Sequence, residues 1–521
     1  MKKISYILFS LFILSTPLFS QGEVDALRFS REDLLGTARA MSMGGAFGAL
    51  GGDLTGVSIN PAGIAVYRSS EVTGTLDLSR EGSAVGNRDA NKTHFTMDNL
   101  GFVGYFPLRN DVMPLINFGF SFNKLKSFNK NMLAQGSPNG RMIDYIAHIS
   151  TRDGVDPSYL EIGDDLPDPF VDQNWLTVLG YNSYLINPVK NGNYYDYEPV
   201  TQDRVQRNEI RSYEKGYIDN YDFTVGTTIS NVLNLGMSLS VKDIYYDVAT
   251  DLVEDFGEGN RYTLTNWLTV NGAGVGAKFG AIYRPVSSLR IGLAWHTPTW
   301  YALTETYEAQ VADNMAGYIG GDYKPGQTYS AVFTNNYDLK TPGKIVASVA
   351  TVLGSNFIAS MDYEMVNYTN MKLRVPSGFQ GDSDVYDIDN EYIAEDHKLA
   401  STVKVGLEYR FTPQFSGRLG YAWMQNPYDA DGGLVKFGEP LIRNSNTIFR
   451  IEGDTNYFTG GVGYRFNRNF YLDMAVVYKT QKDELYPFPN YYVDNTLAVD
   501  ATPFSLKNNS IRGLLTLGYR F

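Results

Sequence analysis

The chain of 521 residues contains no cysteine and only four histidines. Without thiols it can form no disulfide, no thiolate metal site and no lipid-anchored cysteine. The histidines are scattered, and none has a metal-ligand spacing such as HExxH: they are His94, His148, His296 and His397. We therefore expect no metal site and no cofactor.

The chain also lacks an excess of basic residues. Its formal net charge is −13, whereas binding to phosphate backbones requires a basic surface. The composition therefore argues against nucleic acid as a partner.

No long apolar run follows residue 20, so the sequence predicts no membrane-spanning helix. The first twenty residues are different. Lys2 and Lys3 precede the apolar residues 4–19, and Ser20 offers a small residue at a cleavage point. We predict a secretory signal peptide at residues 1–20, which would direct the chain across the inner membrane.

Alternating apolar and polar residues are abundant instead. Val403, Val405, Leu407 and Tyr409 alternate with polar residues and glycine, and residues 511–521 show the same pattern. Such alternation is typical of strands with one apolar face. A secreted chain with this pattern can enter a membrane as a closed β-barrel, which leaves no backbone group unpaired. The alternative is a soluble β-sandwich.

A Tyr-Arg-Phe triplet ends three of these strands, at residues 409–411, 464–466 and 519–521. Aromatic residues repeated at strand ends indicate a girdle at the membrane–water boundary. The terminal Phe521 also resembles the signal by which the barrel-insertion machinery recognises its clients. These features predict a bacterial outer-membrane protein in contact with lipid and lipopolysaccharide.

Short turns and long loops alternate along the chain, as in bacterial barrels. Counting on this basis predicts about 14 antiparallel strands within residues 71–521, with a long outer loop at about residues 125–216. The region of residues 329–353 counts as one strand in which Pro342 causes a kink. Charged residues such as Lys404 and Arg410 are expected to face the lumen, because charges facing lipid are costly.

A segment rich in small residues precedes the strands. It contains Met43-Gly44-Gly45-Ala46-Phe47 and then Asn60-Pro61-Ala62-Gly63. This run resembles the FadL/TodX family of outer-membrane transporters, and the Asn-Pro-Ala motif is the most specific part of the match. The resemblance implies a 14-stranded barrel whose lumen holds an N-terminal hatch, here residues 21–70. It also implies a monomer.

By the same resemblance, the protein would be a channel for passive uptake of hydrophobic small molecules, such as long-chain fatty acids or aromatic hydrocarbons. Movement of the hatch would open a route, and a lateral gap near the third strand would release the ligand. The candidate ligand-binding or hatch residues are Phe47, Leu50, Asn60, Pro61, Ala62, Gly63 and Ile64. Arg39, Lys404 and Arg410 are candidate lumenal basic residues.

Other functions remain open on the residues alone. A structural or adhesive barrel would act through its long acidic loops, and a porin for polar solutes would have an open polar channel. Ser150 near His148 could suggest a barrel phospholipase, but no catalytic motif surrounds the pair. We therefore expect a protein that is not an enzyme.

Overall fold

The computed structural model describes residues 22–86, 88–136, 139–319, 323–354, 356–378, 384–442 and 444–521. The predicted signal peptide at residues 1–20 lies outside this range. Within it, antiparallel strands form one closed barrel, because the first strand pairs with both the second and the last. No helix in these residues is long and apolar enough to cross a membrane.

The barrel has fourteen strands, some of them interrupted by short breaks. The first seven are β1 (Glu71–Val85), β2 (Arg88–Pro107), β3 (Leu115–Ser127, continued by Lys130–Gly136), β4 (Arg207–Ile229), β5 (Leu233–Gly257), β6 (Asn260–Val286) and β7 (Leu289–His296, continued by Trp300–Asn314). The others are β8 (Gly326–Tyr329, Phe333–Lys340 and Lys344–Leu353), β9 (Phe357–Asn367, continued by Lys372–Arg374), β10 (Leu399–Arg410), β11 (Phe415–Met424), β12 (Phe449–Ile451, continued by Thr455–Arg465), β13 (Phe470–Tyr486) and β14 (Phe504–Arg520). The predicted fold class is confirmed.

Pro342 interrupts β8, as the sequence predicts. Phe333–Lys340 pairs with the Trp300–Asn314 part of β7, and Lys344–Leu353 pairs with the Leu289–His296 part. The two pieces therefore run along the same neighbour and form a single strand with a break at the proline, which cannot donate a backbone hydrogen bond.

Side chains alternate across the wall as the sequence pattern indicates. On β10, Val405, Leu407 and Tyr409 are exposed on the outside, while Lys404 and Glu408 are buried in the lumen. The aromatic residues of the Tyr-Arg-Phe triplets point outward at the ends of β10, β12 and β14, next to the short turns. The outer surface thus carries an apolar band with an aromatic border.

The two ends of the barrel differ. At one end, which we call the short-turn end, tight connections join the strands. At the long-loop end, residues 139–206 fold into α4 (Met142–Asp153), α5 (Trp175–Asn182) and a hairpin of Ile186–Asn191 with Tyr194–Pro199. These elements, with α6 (Asp387–Asp396) and α7 (Gly433–Phe437), pack into a large apolar core that fills this end. A second small hairpin joins Tyr491–Val493 to Thr496–Val499.

The N-terminal segment lies inside the lumen. It contains α1 (Glu23–Ser30), α2 (Ala38–Ser42), α3 (Leu54–Ile59) and a 3-10 helix (Pro61–Val66), and it leads directly into β1. The helix α1 packs in the core of the long-loop end, while α2 and the residues after it contact the wall nearer the short-turn end. We call residues 22–35 the arm and residues 36–70 the plug.

Candidate functional site: the plug, the arm and a seam in the wall

Asn60 ties the plug to the barrel wall. Its Oδ1 accepts a hydrogen bond of 3.1 Å from the backbone N–H of Ala62, which caps the 3-10 helix, and Pro61 takes the first helical position. Its Nδ2 donates to the carbonyl oxygen of Gly48 at 2.7 Å and to that of Ala281 on β6 at 3.2 Å. One side chain therefore closes a turn of the plug and fastens it to a strand.

Glycines of the wall surround the plug at one level. A Cβ added to Gly420 would lie 2.1 Å from the backbone nitrogen of Gly44, and one added to Gly236 would lie 2.3 Å from the carbonyl oxygen of Pro61. Only glycine allows the two backbones to come this close. We call this ring the glycine collar: Gly101, Gly119, Gly226, Gly236, Gly280, Gly292, Gly406, Gly420 and Gly461, each next to an atom of the plug.

The predicted hatch residues all lie in this contact layer. Phe47 and Leu50 pack in an apolar cluster with wall residues, and Ile64 contacts Gly119 and Gly226. All seven are buried: Phe47, Leu50, Asn60, Pro61, Ala62, Gly63 and Ile64. The three lumenal cavities described below are lined by other residues.

The arm runs through the middle of the lumen and touches three adjoining cavities. Their volumes are about 100, 130 and 90 Å³. Glu32 and Asp33 line the first two, and Arg31 lines the first and the third. All three cavities are lined by residues of the arm, so a displacement of this segment would change their shape.

Glu32 holds the arm to two strands at once. Its carboxylate accepts hydrogen bonds from Lys242 on β5 at 3.0 Å and from Lys344 on β8 at 2.5 Å. Burial alone would raise the pKa of this carboxyl, but Lys344 and Lys242 together hold the pKa well below its usual value. Glu32 is therefore ionised at neutral pH and links the arm to β5 and β8, which lie three strands apart in the wall.

The neighbouring charges of the arm extend the same attachment. Arg31 donates to Glu452 at 2.6 Å, and Lys479 on β13 donates to Asp33 at 3.4 Å. The pKa of Asp33 would rise through burial, but Lys479 and other nearby cations lower it below its ordinary value. Three consecutive residues thus form ion pairs with four different parts of the wall.

The largest of the three cavities combines cations with apolar surface. It is lined by Leu34 and Leu35 of the arm, by Ile59 of the plug and by Lys404 of the wall, which forms an ion pair with Glu364. Its lysines are Lys124, Lys242, Lys278, Lys344 and Lys404. Such a lining suits a ligand that has both an apolar body and an anionic group.

A seam divides the wall between β2 and β3. These strands pair from Pro107↔Leu115 up to Asn99↔Asn123. Beyond that point, in the part of the chain that the structure describes, residues 88–98 pair only with β1 and residues 124–136 only with β4. Irregularities in register on both strands begin at this level. We call this unpaired stretch the seam.

Side chains bridge the seam where backbone hydrogen bonds stop. Lys92 donates to the carbonyl oxygen of Glu214 at 2.7 Å, and a ring nitrogen of His94 lies 3.4 Å from the hydroxyl of Ser127. The cavity of about 100 Å³ is lined from both sides of the seam, by His94, Thr96, Lys124 and Ser127 among others. Side chains, instead of a backbone ladder, therefore join the two strands beside this cavity.

A buried ion cluster marks the base of the seam. The guanidinium of Arg512 on β14 donates from Nε to Asp77 at 2.7 Å and from Nη2 to Asp98 at 2.5 Å, and all three residues are buried. Arg512 also donates to the carbonyl oxygen of Leu34 in the arm at 2.9 Å. The end of the arm and the base of the seam are thus in direct contact.

The candidate basic residues separate into two places. Lys404 lies in the lysine-lined cavity, whereas Arg39 and Arg410 both line a smaller cavity at the short-turn end. Arg39 donates to Glu408 at 3.2 Å, and Arg418 bridges Glu408 and Asp473 at 2.6 Å each. The structure therefore brings Arg39 and Arg410 together and keeps Lys404 apart from them.

Sequence reasoning missed the run of Arg31, Glu32 and Asp33. A signal was present, because three charged residues in a row precede a plug rich in small residues. A charged run in a segment that enters a lumen needs partners there, which are the ion pairs described above.

Ser150 does not form a catalytic pair with His148. Its hydroxyl donates to the carbonyl oxygen of Ile146 at 2.7 Å and lies 2.8 Å from the hydroxyl of Thr177, while His148 stacks on Tyr491. Among the described residues, no three histidine or acidic side chains converge as a metal site.

The fold and the filled lumen define the class: a transmembrane β-barrel closed by an N-terminal plug. No family model and no curated protein matches the chain. Among solved structures, a FadL homologue from Pseudomonas aeruginosa is similar, with 13% identity, coverage of 94% of this chain and 100% of that chain, and a TM-score of 0.56. More particularly, then, this chain has the fold of a FadL homologue, which confirms the predicted resemblance at the level of the fold.

Two further solved structures align over most of their length. They are the toluene transporters TodX of Pseudomonas putida, with 11% identity over 94% of this chain and 100% of that chain, and TbuX of Ralstonia pickettii, with 13% identity over 93% and 98%. Their TM-scores are 0.49 and 0.47.

Proposed function

We propose that this protein is an outer-membrane channel for the passive uptake of hydrophobic small molecules, with lateral release through the seam. The seam is the observation that carries the proposal, because a lumenal cavity reaches the wall at the one place where described neighbouring strands are joined by side chains instead of a backbone ladder. The FadL-like fold supports the outer-membrane location and the transport class.

The lining of the cavities favours an amphiphile over a bare hydrocarbon. Lys124 and Lys404 lie in a cavity that also presents Leu34, Leu35 and Met41. An aromatic hydrocarbon would leave the buried cations without a new partner, whereas a long-chain fatty acid offers a carboxylate to the lysines and a chain to the apolar side. Long-chain fatty acids are therefore the preferred substrate class of this proposal.

The glycine collar indicates which part of the N-terminal segment moves. Residues 36–70 pack against nine strands through close contacts, and Asn60 fastens them to β6. The arm is held mainly by ion pairs, which a charged ligand can replace. An anionic ligand that competes with Glu32 for Lys242 and Lys344 would free the arm and, through the contact of Leu34 with Arg512, loosen the base of the seam.

Closing the seam tests this function. Because the chain has no native cysteine, the double variant His94→Cys/Ser127→Cys can be joined by a short bifunctional maleimide in intact cells. Cross-linking should abolish uptake of a labelled long-chain fatty acid, because the exit is tied shut. The control pair Ala84→Cys/Asp89→Cys lies on β1 and β2, which are already paired, and its cross-linking should leave uptake unchanged. Equal uptake before and after cross-linking at the seam would refute lateral release.

The other candidate functions give different results in the same cells. A porin for polar solutes would admit a labelled sugar regardless of the seam cross-link. A structural or adhesive barrel would show no uptake of the fatty acid with either pair, even before cross-linking.

A further inference from the structure

A set of arginines without carboxylate partners lines the short-turn end of the barrel. Within the described residues, none of the five forms an ion pair: Arg68, Arg284, Arg290, Arg410 and Arg465. The carboxylates nearby are already engaged. Glu408 and Asp473 pair with Arg39 and Arg418, and Glu71 pairs with Arg520. Asp53 accepts hydrogen bonds from Thr37 and Thr55 within the plug. We call these five residues the arginine mouth.

The hydrogen bonds that these side chains form do not use all of their N–H donors. Arg68 donates to the carbonyl oxygens of Ala65 and Tyr67, Arg284 donates to that of Asn231, and Arg290 donates to that of Leu50. The Nε atoms of Arg284 and Arg290 are enclosed and have no hydrogen-bond partner. A guanidinium has five N–H donors, so each of these residues retains the capacity to bind an oxyanion.

The arginines also interact with one another. Burial lowers the pKa of Arg68, and the neighbouring Arg284 lowers it further. Arg290 lies within electrostatic range of Arg284, Arg68 and Arg39, and Arg465 lies within range of Arg410 and Arg520. Like charges held this close repel one another unless an anion lies between them. The concentration of cations is unusual in a chain whose formal net charge is −13.

The position of the mouth determines which anions can reach it. On β6, β10 and β12 the outward neighbours of these arginines are Tyr283, Tyr409 and Tyr464, which occupy the lipid-facing side. The arginines alternate with these tyrosines and therefore face the inside of the mouth, away from lipid headgroups. The anion has to approach along the barrel axis.

The spread of the arginines argues for a multivalent partner. Arg284 and Arg290 lie on β6 and β7, whereas Arg465 lies on β12, on the far side of a barrel of fourteen strands. A single small oxyanion can contact one side only, but a flexible segment with several carboxylates can contact both. From these observations we propose that the arginine mouth is a docking site for an acidic segment of a periplasmic protein. The proposal rests on the outer-membrane orientation of the proposed function but not on lateral release or on the transported ligand.

Binding of a model acidic peptide to the purified full chain in nanodiscs tests this site. The probe is a fluorescein-labelled peptide of alternating Glu and Gly, and its control has Gln in place of Glu. The Glu peptide should bind at least about tenfold more tightly, and added salt should weaken it, because the attraction is electrostatic. Equal binding of the two peptides would overturn the proposal.

Variants locate the site. The triple variant Arg284→Gln/Arg290→Gln/Arg465→Gln should lose the preference for the Glu peptide, and the same three positions changed to Lys should retain most of it. Arg465→Gln alone, at an exposed strand end, gives a second measure if the triple variant folds poorly. The matched control Lys190→Gln/Arg204→Gln removes exposed cations of the long-loop end and should bind normally. Loss of binding in this control as well would overturn the proposal.

Nanodiscs of different lipid composition test the alternative that the mouth binds anionic lipid headgroups. If the mouth serves anionic headgroups instead, nanodiscs that contain phosphatidylglycerol will block the Glu peptide, and the proposal fails. Similar binding in phosphatidylcholine and phosphatidylglycerol nanodiscs would support it. Because this assay involves no transport, a negative result leaves the seam cross-linking test of the proposed function unaffected.

Discussion

The carboxylate of Asp362, on β9, accepts a hydrogen bond of 2.9 Å from the backbone N–H of Gly48 in the plug. The same oxygen accepts a second one of 3.0 Å from the N–H of Phe47. Asp362 is completely buried, so the wall supplies a charged acceptor for a turn of the plug that would otherwise bury unpaired donors. The plug and the barrel are thus parts of one hydrogen-bonded structure.

Replacing Asp362 with Leu should destabilise the protein. The two N–H groups of Phe47 and Gly48 would lose their acceptor, at a cost of about 1–3 kcal/mol each. Asp362→Asn keeps one oxygen and should lose less. Thermal unfolding in detergent, followed by the heat-dependent shift in gel mobility, measures the difference. Met361→Leu, which faces outward from the next position, is the control. A Leu variant as stable as the control would contradict this account.

Gly420→Ala should displace the plug, because the added Cβ would lie 2.1 Å from the backbone nitrogen of Gly44. We expect faster proteolysis within residues 36–70 and a lower unfolding temperature. Gly513→Ala provides a matched control, since a Cβ at this outward position meets nothing within 4 Å. If both variants resist protease like the parent protein, the collar does not hold the plug.

Acid should release the arm only below the ordinary pKa of a glutamate side chain. The pKa of Glu32 is lowered in the folded protein, so the attachment it provides is complete above the unfolded value of 4.5 and is lost as the pH falls through the lower folded value. The protection factors of residues 22–35, which correct for the intrinsic pH dependence of amide exchange, should therefore stay constant from neutral pH to 4.5 and fall only below it. In Glu32→Gln the arm should exchange faster at neutral pH as well. Protection factors of the arm that begin to fall above 4.5 would show that another group controls it.

Arg512→Leu should be strongly destabilising. It would leave Asp77 and Asp98 buried without a cation, and breaking a buried pair in this way costs about 3–5 kcal/mol. Lys507→Ala removes an exposed cation from the same strand and should change the free energy of unfolding little. Urea unfolding from lipid vesicles compares the two variants, and a similar small effect in both would show that the cluster is solvated.

The barrel could be predicted from the sequence because each strand has lipid on one face and the lumen on the other. β10 alternates Lys404, Gly406 and Glu408 with apolar residues, and this alternation alone assigns the inside and the outside. Pro342 was also informative, because a residue without an N–H can interrupt a strand in few ways. Local rules of this kind were sufficient for the strand number and for closure.

The candidate site was harder to predict from the sequence, for a physical reason. Glu32 meets Lys242 and Lys344, which are more than two hundred residues away, and no local pattern connects them. The seam is likewise a property of two strands together, since the unpaired part of β2 is a regular strand on its other edge, toward β1. Asn60 was recognisable because its motif is local, and its capping bond lies within three residues.

The C-terminal residue adds a consequence for how the protein is built. The backbone N–H of Phe521 donates a hydrogen bond of 3.0 Å to the carbonyl oxygen of Ser70, where the plug passes into β1. Phe521 therefore completes a ring around the N-terminal segment. Since the collar leaves no room to insert the plug afterwards, the N-terminal segment must be in place when β14 meets β1. A plug supplied as a separate chain should then fail to restore a barrel that has closed without it.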